Sequence, residues 1–143
     1  MSPVDREVIS RKLGVIQDAL VVLEQAGAID LDAYRRDIWR RKGTERILQE
    51  MVEAAMDVAA HLMVETGRAA PVDGRSAFIN LGSAGVLSME LARALAPAAG
   101  LRNRLVHEYD EVDDRIVFDA VGEAKALFPR FIAEVEAFLH RTP

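Results

Sequence analysis

The chain has 143 residues, half of them hydrophobic and 29% charged, with a formal net charge of −5 and no cysteine. Residues 1–143 therefore read as a single domain able to bury a core. Disulfides and thiolate metal sites are excluded, no apolar run approaches the roughly 18 residues of a membrane span, and the acidic balance counts against a simple electrostatic nucleic-acid binder.

Helical periodicity runs nearly end to end, with no convincing alternating strand, so an all-α, up-and-down bundle is expected. A first helix is predicted from Arg6 to Gln25, with Ile9, Leu13, Ile16, Leu20 and Leu23 on one stripe and Gly27 as its stop. The start of the chain mixes Asp5 and Glu7 with basic residues and lacks a signal-like apolar segment, so a cytoplasmic protein is expected. A short helix from Asp32 leads toward Trp39. A break at Gly43 and Thr44 then opens a long helix from Glu45 to about Thr66, its inner face made by Ile47, Met51, Ala55, Val58 and Leu62. Residues Gly67 to Gly74, with Pro71, read as a loop. A short helix follows over Ser76 to Gly82. Ser88 caps the next helix, with Glu90 well placed in its first turn. Pro97 and Gly100 should bend or loosen that helix. Asp110 to Asp114 form an acidic loop, Asp114 serves as a cap, and a final helix runs from Arg115 to about His140 with a kink at Pro129.

Three polar groupings stand out. Arg35, Arg36, Arg40, Arg41, Lys42 and Arg46 crowd a short stretch, suited either to phosphate or an acidic protein or simply to a solvated helix start. Glu53, Asp57 and His61 recur every four residues as one polar stripe. Two carboxylates and a histidine at that spacing are weakly specific for metal, so Asp57 and His61 read as solvated or cleft-lining and no metal site is assigned. Tyr34 and Trp39 read as packing or interface residues rather than base-stacking platforms. His140, in the last helical turn, complements the helix dipole.

The third grouping is the most informative: Leu101-Arg102-Asn103-Arg104-Leu105-Val106-His107-Glu108-Tyr109. Arginine offers a planar fork of donors that matches phosphate oxygens, and histidine is the side chain suited to proton transfer near neutral pH. Composition alone would favour a plain helix end with polar residues. On an ideal helix Asn103 and His107 share a face, as do Arg102, Val106 and Tyr109, while Arg102 and His107 stand roughly 140° apart. One straight helix aims that pair poorly at one phosphate. Either the helix is deformed, or two copies of the chain each supply part of the site.

Arg102-Asn103-x2-Val106-His107-x-Tyr109 resembles the signature of the HEPN superfamily, and more closely that of the HepT toxins. Glu45-Arg46-x-Leu48-Gln49 with Asp57-Val58-Ala59-Ala60-His61 is similar to the family's long second helix, and Phe78-x-x-Leu81 with Gly85-Val86-Leu87-Ser88 to the approach to its motif helix. The likeness runs from about Val8 to about Leu139. It implies a HEPN-like bundle that forms a homodimer with two motif helices lining one cleft. It also implies an endoribonuclease that uses no metal and no cofactor, in which the ribose 2′-hydroxyl attacks the adjacent phosphate to leave a 2′,3′-cyclic phosphate. Arg102 and His107 would be catalytic and Asn103 supporting. Tyr109 would be adenylylated by a partner minimal nucleotidyltransferase of the MntA type, which silences the toxin; its ring packing on the final helix is the plainer alternative. A second reading is a non-catalytic helical partner of such a nucleotidyltransferase, and a third a plain scaffold dimer. The intact motif favours the first reading and the acidic net charge slightly favours the second.

Overall fold

The structure, a computed structural model, describes residues 1–26, 28–67 and 73–142. Gly27 and Pro71, expected as a helix stop and a loop residue, lie outside these residues. Among the described residues there is no strand. Six α-helices follow one another: α1 Pro3–Gln25, α2 Leu31–Arg36, α3 Ile38–Glu65, α4 Gly74–Ser83, α5 Met89–His107 and α6 Asp114–Arg141. No described helix is long and apolar enough to cross a membrane.

Each helix starts on a residue whose short polar side chain accepts an N–H of the first turn: Ser2, Asp30, Asp37, Asp73, Ser88 and Asp113. Such caps satisfy donors that the helix itself cannot. Asp37 corrects the expected break at Gly43. It ends α2 and caps α3, its Oδ1 accepting from Arg40 N at 3.0 Å, and the helix then runs straight through Gly43 and Thr44. A glycine costs a helix about 1 kcal/mol against alanine, a penalty that a capped helix of 28 residues with a buried face absorbs. The last helix is likewise capped by Asp113 rather than Asp114. Pro97 and Pro129 both sit inside unbroken helices, where flanking turns are anchored by buried Leu95, Ala96 and Ala99, and by Phe128, Phe131 and Ile132.

The core follows the apolar stripes. Ile9, Leu13, Ile16 and Leu23 of α1 are buried, with Leu20 only partly so. From α3 come Met51, Ala55, Val58 and Leu62, all with no exposed surface, while Leu48 is more deeply buried than the expected Ile47. Phe131 is the aromatic centre, edge-on to Phe78 and Phe128 with both centroids at 6.2 Å. Helix α3 touches each of the other α-helices. Polar contacts fix the directions. Lys12 meets Asp57 while Asp5 approaches His61, so α1 and α3 are antiparallel. Arg6 donates to carbonyls near the end of α6 while Glu24 meets Lys125 near its start, so α1 and α6 are antiparallel too. Ser88 and Glu90 of the α5 start reach Glu134 and Arg130, so α5 opposes α6. The four long helices thus alternate up and down.

Helix α4 places α5. Its C-terminus turns on Gly85, at φ +79°, with Val86 N donating to Leu81 O at 3.0 Å; only glycine takes that left-handed backbone without strain. At Gly82 an added Cβ would lie 2.8 Å from Ala92 Cβ, so the bare glycine lets the Ala92 methyl of α5 seat against α4.

Candidate active site

The motif occupies the C-terminal end of α5, the helix that carries Pro97 and Gly100. Buried Leu95, Ala99 and Leu105 fix the helix's rotation. Arg102 is thereby left half-buried toward α3, while Asn103, Arg104 and His107 are exposed. Asn103 and His107 share the outer face, in keeping with their four-residue spacing. The helix stops at His107. Glu108, with φ −130° and ψ 37°, ends it, its N–H donating to Arg104 O at 2.9 Å. Tyr109 falls in a short 3-10 turn, Tyr109–Glu111, and is 65% exposed. The expected shared face of Arg102, Val106 and Tyr109 therefore does not form, because the helix ends first. The tyrosine ring is free in the single chain rather than packed on α6.

Arg102 is held rather than loose. Its Nε and one terminal nitrogen donate to Glu53 Oε1 at 3.1 and 3.0 Å, and its other terminal nitrogen donates to Asn103 Oδ1 at 3.3 Å. The same Glu53 oxygen accepts from Gln49 Nε2 at 3.1 Å. The side chains of Arg102 and Glu53 are 26% and 34% exposed, so the pair sits at the rim of the α3–α5 contact, open to an incoming ligand. His107 makes no side-chain hydrogen bond or ion pair among the described residues.

The polar stripe of α3 is divided between two neighbours. Glu53 turns to α5, but Asp57 pairs with Lys12 at 2.9 Å and His61 Nδ1 lies 3.9 Å from Asp5, both on α1. Successive positions four apart advance about 40° around a helix, so three of them span two adjacent helices. Asp5 is held below the ordinary carboxylate range, first by the Ser2 hydroxyl and then by Glu65, with His61 adding a smaller pull. Among the described residues no hydrogen bond or ion pair joins Asp57 or His61 to Arg102. The importance of Glu53 as the partner of Arg102 was not legible in the spacing. The available signal was an arginine facing a core helix, which calls for an acceptor.

The basic stretch is largely neutralised within the chain. Arg40 lies 3.9 Å from Asp37 and also donates to Ala26 O at 2.7 Å, Arg41 meets Asp114 at 3.7 Å, Lys42 meets Glu45 at 3.7 Å and Arg46 meets Glu50 at 2.9 Å. Arg35 and Arg36, in the last turn of α2, are exposed. Tyr34 is buried at 2% exposure against Phe118, with centroids 5.6 Å apart, and burial pushes its hydroxyl well above the usual phenol range. Trp39 is its opposite, 87% exposed. Between α5 and α6 runs an apolar groove of about 280 Å³, floored by Leu48 and Val52 and edged by Leu101 and Arg104; neither Arg102 nor His107 lines it.

Comparison with known proteins places the chain in a family. Residues 16–136 match the HepT-like ribonuclease family. The chain is 34% identical over 139 residues to the tRNA nuclease HepT of Aphanizomenon flos-aquae, covering 97% of this chain and 95% of that protein. It is 26% identical over 131 residues to the mRNA nuclease HepT of Shewanella oneidensis, covering 92% and 98%. Its fold matches the tri-AMPylated Shewanella oneidensis HEPN toxin solved in complex with its MNT antitoxin, with a TM-score of 0.82, 26% identity, and coverage of 96% and 99%. With a family match over most of its length and a full-length relative at this identity, the chain belongs to the HepT-like ribonucleases of the HEPN superfamily.

Proposed function

We propose that this chain is the toxin of a toxin–antitoxin pair, a metal-independent endoribonuclease that works as a homodimer in the cytoplasm. The observation that carries the reading is the end of α5, where a guanidinium held by Glu53 and Asn103 is followed by an exposed imidazole at His107 and an exposed tyrosine at Tyr109. The names of the full-length relatives, tRNA nuclease and mRNA nuclease, support the same substrate class.

In this mechanism the ribose 2′-oxygen forms the new bond to phosphorus and the 5′-oxygen leaves. The 2′-proton is taken up and a proton is returned to the leaving oxygen, with His107 as a general acid or base. Arg102 stabilises the charge that builds on the phosphorane oxygens. Asn103 supports Arg102, or His107, on whose face it lies. The product is a 2′,3′-cyclic phosphate with a free 5′-hydroxyl, and DNA, lacking the 2′-hydroxyl, is spared. A second copy of the chain brings its own α5 to the same cleft, and Asp57 and His61 line the approach from that side. Tyr109 is the regulatory position: a minimal nucleotidyltransferase transfers AMP to its hydroxyl, setting negative charge and bulk where the RNA phosphate must sit.

A binding subunit with an idle motif is favoured by one observation, the exposed acids Glu108, Asp110 and Glu111 around the site. The same experiment divides the two readings. Purified protein incubated with cellular RNA in EDTA should give fragments with 2′,3′-cyclic phosphate and 5′-hydroxyl ends, and leave DNA intact. No cleavage, or cleavage lost in EDTA and restored by a divalent ion, would overturn the proposal.

A further inference from the structure

We propose that Glu53 is a positioning residue for the reaction, the group that fixes the Arg102 guanidinium beside Asn103; this rests on the ribonuclease reading above. The difficulty it resolves is angular. On one helix Arg102 and His107 project roughly 140° apart, whereas Asn103 and His107 differ by only about 40°. Left to itself, Arg102 is a long side chain with many rotamers and no reason to lean toward Asn103. Glu53 removes that freedom from the far side. Its Oε1 accepts from Nε and one terminal nitrogen at 3.1 and 3.0 Å, so the guanidinium is held by one edge and its remaining terminal nitrogen is left to reach Asn103 Oδ1 at 3.3 Å. The head of Arg102 is thereby fixed beside Asn103, which lies between Arg102 and His107 around the helix, about 40° short of His107.

The anchor is itself anchored. Gln49, one turn earlier on α3, donates to the same Glu53 oxygen at 3.1 Å. Gln49, Glu53, Arg102 and Asn103 thus form one hydrogen-bonded chain from α3 across to α5. Of the five N–H groups of an arginine, Glu53 takes two and Asn103 one. Two remain for phosphate oxygens, on a head whose orientation is already set. Preorganisation of this kind matters because misplacement of a charged group by about 1 Å can cost on the order of a hundredfold in rate. A pair this open to solvent contributes little to folding, so its role in the site can be separated from any role in stability.

The test is steady-state RNA cleavage by the full-length protein and by Glu53→Gln and Glu53→Ala, with thermal melts of the same samples. Glutamine keeps an acceptor oxygen at the same reach but loses the charge, and alanine removes both. The expected result is a graded fall in kcat, on the order of tenfold for Glu53→Gln and a hundredfold for Glu53→Ala. KM should hold or fall, since the Arg102 charge is no longer offset, and the melting temperature should be little changed. Full kcat in Glu53→Ala would overturn the inference alone, as would a loss no larger than the loss of folded protein. An inactive wild type would overturn the ribonuclease reading and this inference with it.

Discussion

Replacing Arg102 by alanine separates chemistry from folding more sharply than any other single change. The substitution removes the two bonds to Glu53 and the one to Asn103, and one positive charge from the rim of the α3–α5 contact. Its structural cost is small. An ion pair with both partners about a third exposed is worth roughly 1 kcal/mol or less, and the Glu53 carboxylate left behind keeps its bond from Gln49 and its access to solvent. For a domain of this size about 1 kcal/mol shifts the melting temperature by roughly 3–5 °C. The catalytic cost is larger. Loss of one donor that stabilises transition-state charge commonly slows a reaction on the order of a hundredfold or more, which is about 2.7 kcal/mol of barrier at roughly 1.36 kcal/mol per tenfold. Initial rates of RNA cleavage at 25 °C, with circular-dichroism melts on the same samples, read both quantities. The expected pair is a loss of at least about a hundredfold in rate with a melting shift of only a few degrees. A rate loss under about tenfold would refute the role given to Arg102. A melting temperature lowered by more than roughly 10 °C would show instead that the residue holds the fold.

Three further outcomes follow from the same geometry. Tyr109→Phe keeps the ring in its exposed turn but removes the acceptor oxygen; it should cleave RNA normally, escape neutralisation by the nucleotidyltransferase, and show no adenylate by mass spectrometry, whereas neutralisation as complete as wild type would assign inhibition to tight binding. Phe131→Ala empties the centre of the Phe78–Phe128 cluster and should destabilise the protein by about 3–5 kcal/mol in denaturant melts; a loss below about 1 kcal/mol would place the core elsewhere. Asp73 is held below the ordinary carboxylate range, chiefly by the backbone N–H of Ser76 that it caps. Because its folded value is depressed, its contribution is full above the ordinary range, starts to fade below about pH 4 and is lost as pH falls through the lowered value. Asp73→Asn should therefore flatten the acid limb of stability, and an unchanged acid limb would remove Asp73 from that account.

Much of this architecture was legible from the chain alone because it depends on neighbours in sequence. The stripe Ile9, Leu13, Ile16 and Leu23 follows from helical period, the Ser88 cap from side-chain chemistry, and the motif's place at a helix end from the polar residues that close α5. Where local signals competed, tertiary context decided between them. Gly43 looked like a break and Asp37 did not, yet the helix starts at Asp37, because a cap supplies a bond and a buried face tolerates a glycine. Tyr34 and Trp39, five residues apart, could not be told apart by composition; one is enclosed by Phe118 and the other stands in solvent.

The sequence by itself determined that the chain is helical, where its apolar faces lie, and which residues gather at the end of α5, since each of these is set by periods of a few residues. Only the tertiary structure decided which charge meets which. A stripe repeating every four residues drifts about 40° per step, so Glu53, Asp57 and His61 fan from α5 around to α1, and the helix that happens to lie at each azimuth supplies Arg102, Lys12 and Asp5 in turn. In the basic stretch Arg41 meets Asp114 and Arg40 reaches Ala26 O in the same way, whereas Lys42–Glu45 and Arg46–Glu50 are neighbours three and four residues apart on α3. Partner choice over such distances depends on how six helices pack, a property of the whole chain that no local spacing contains.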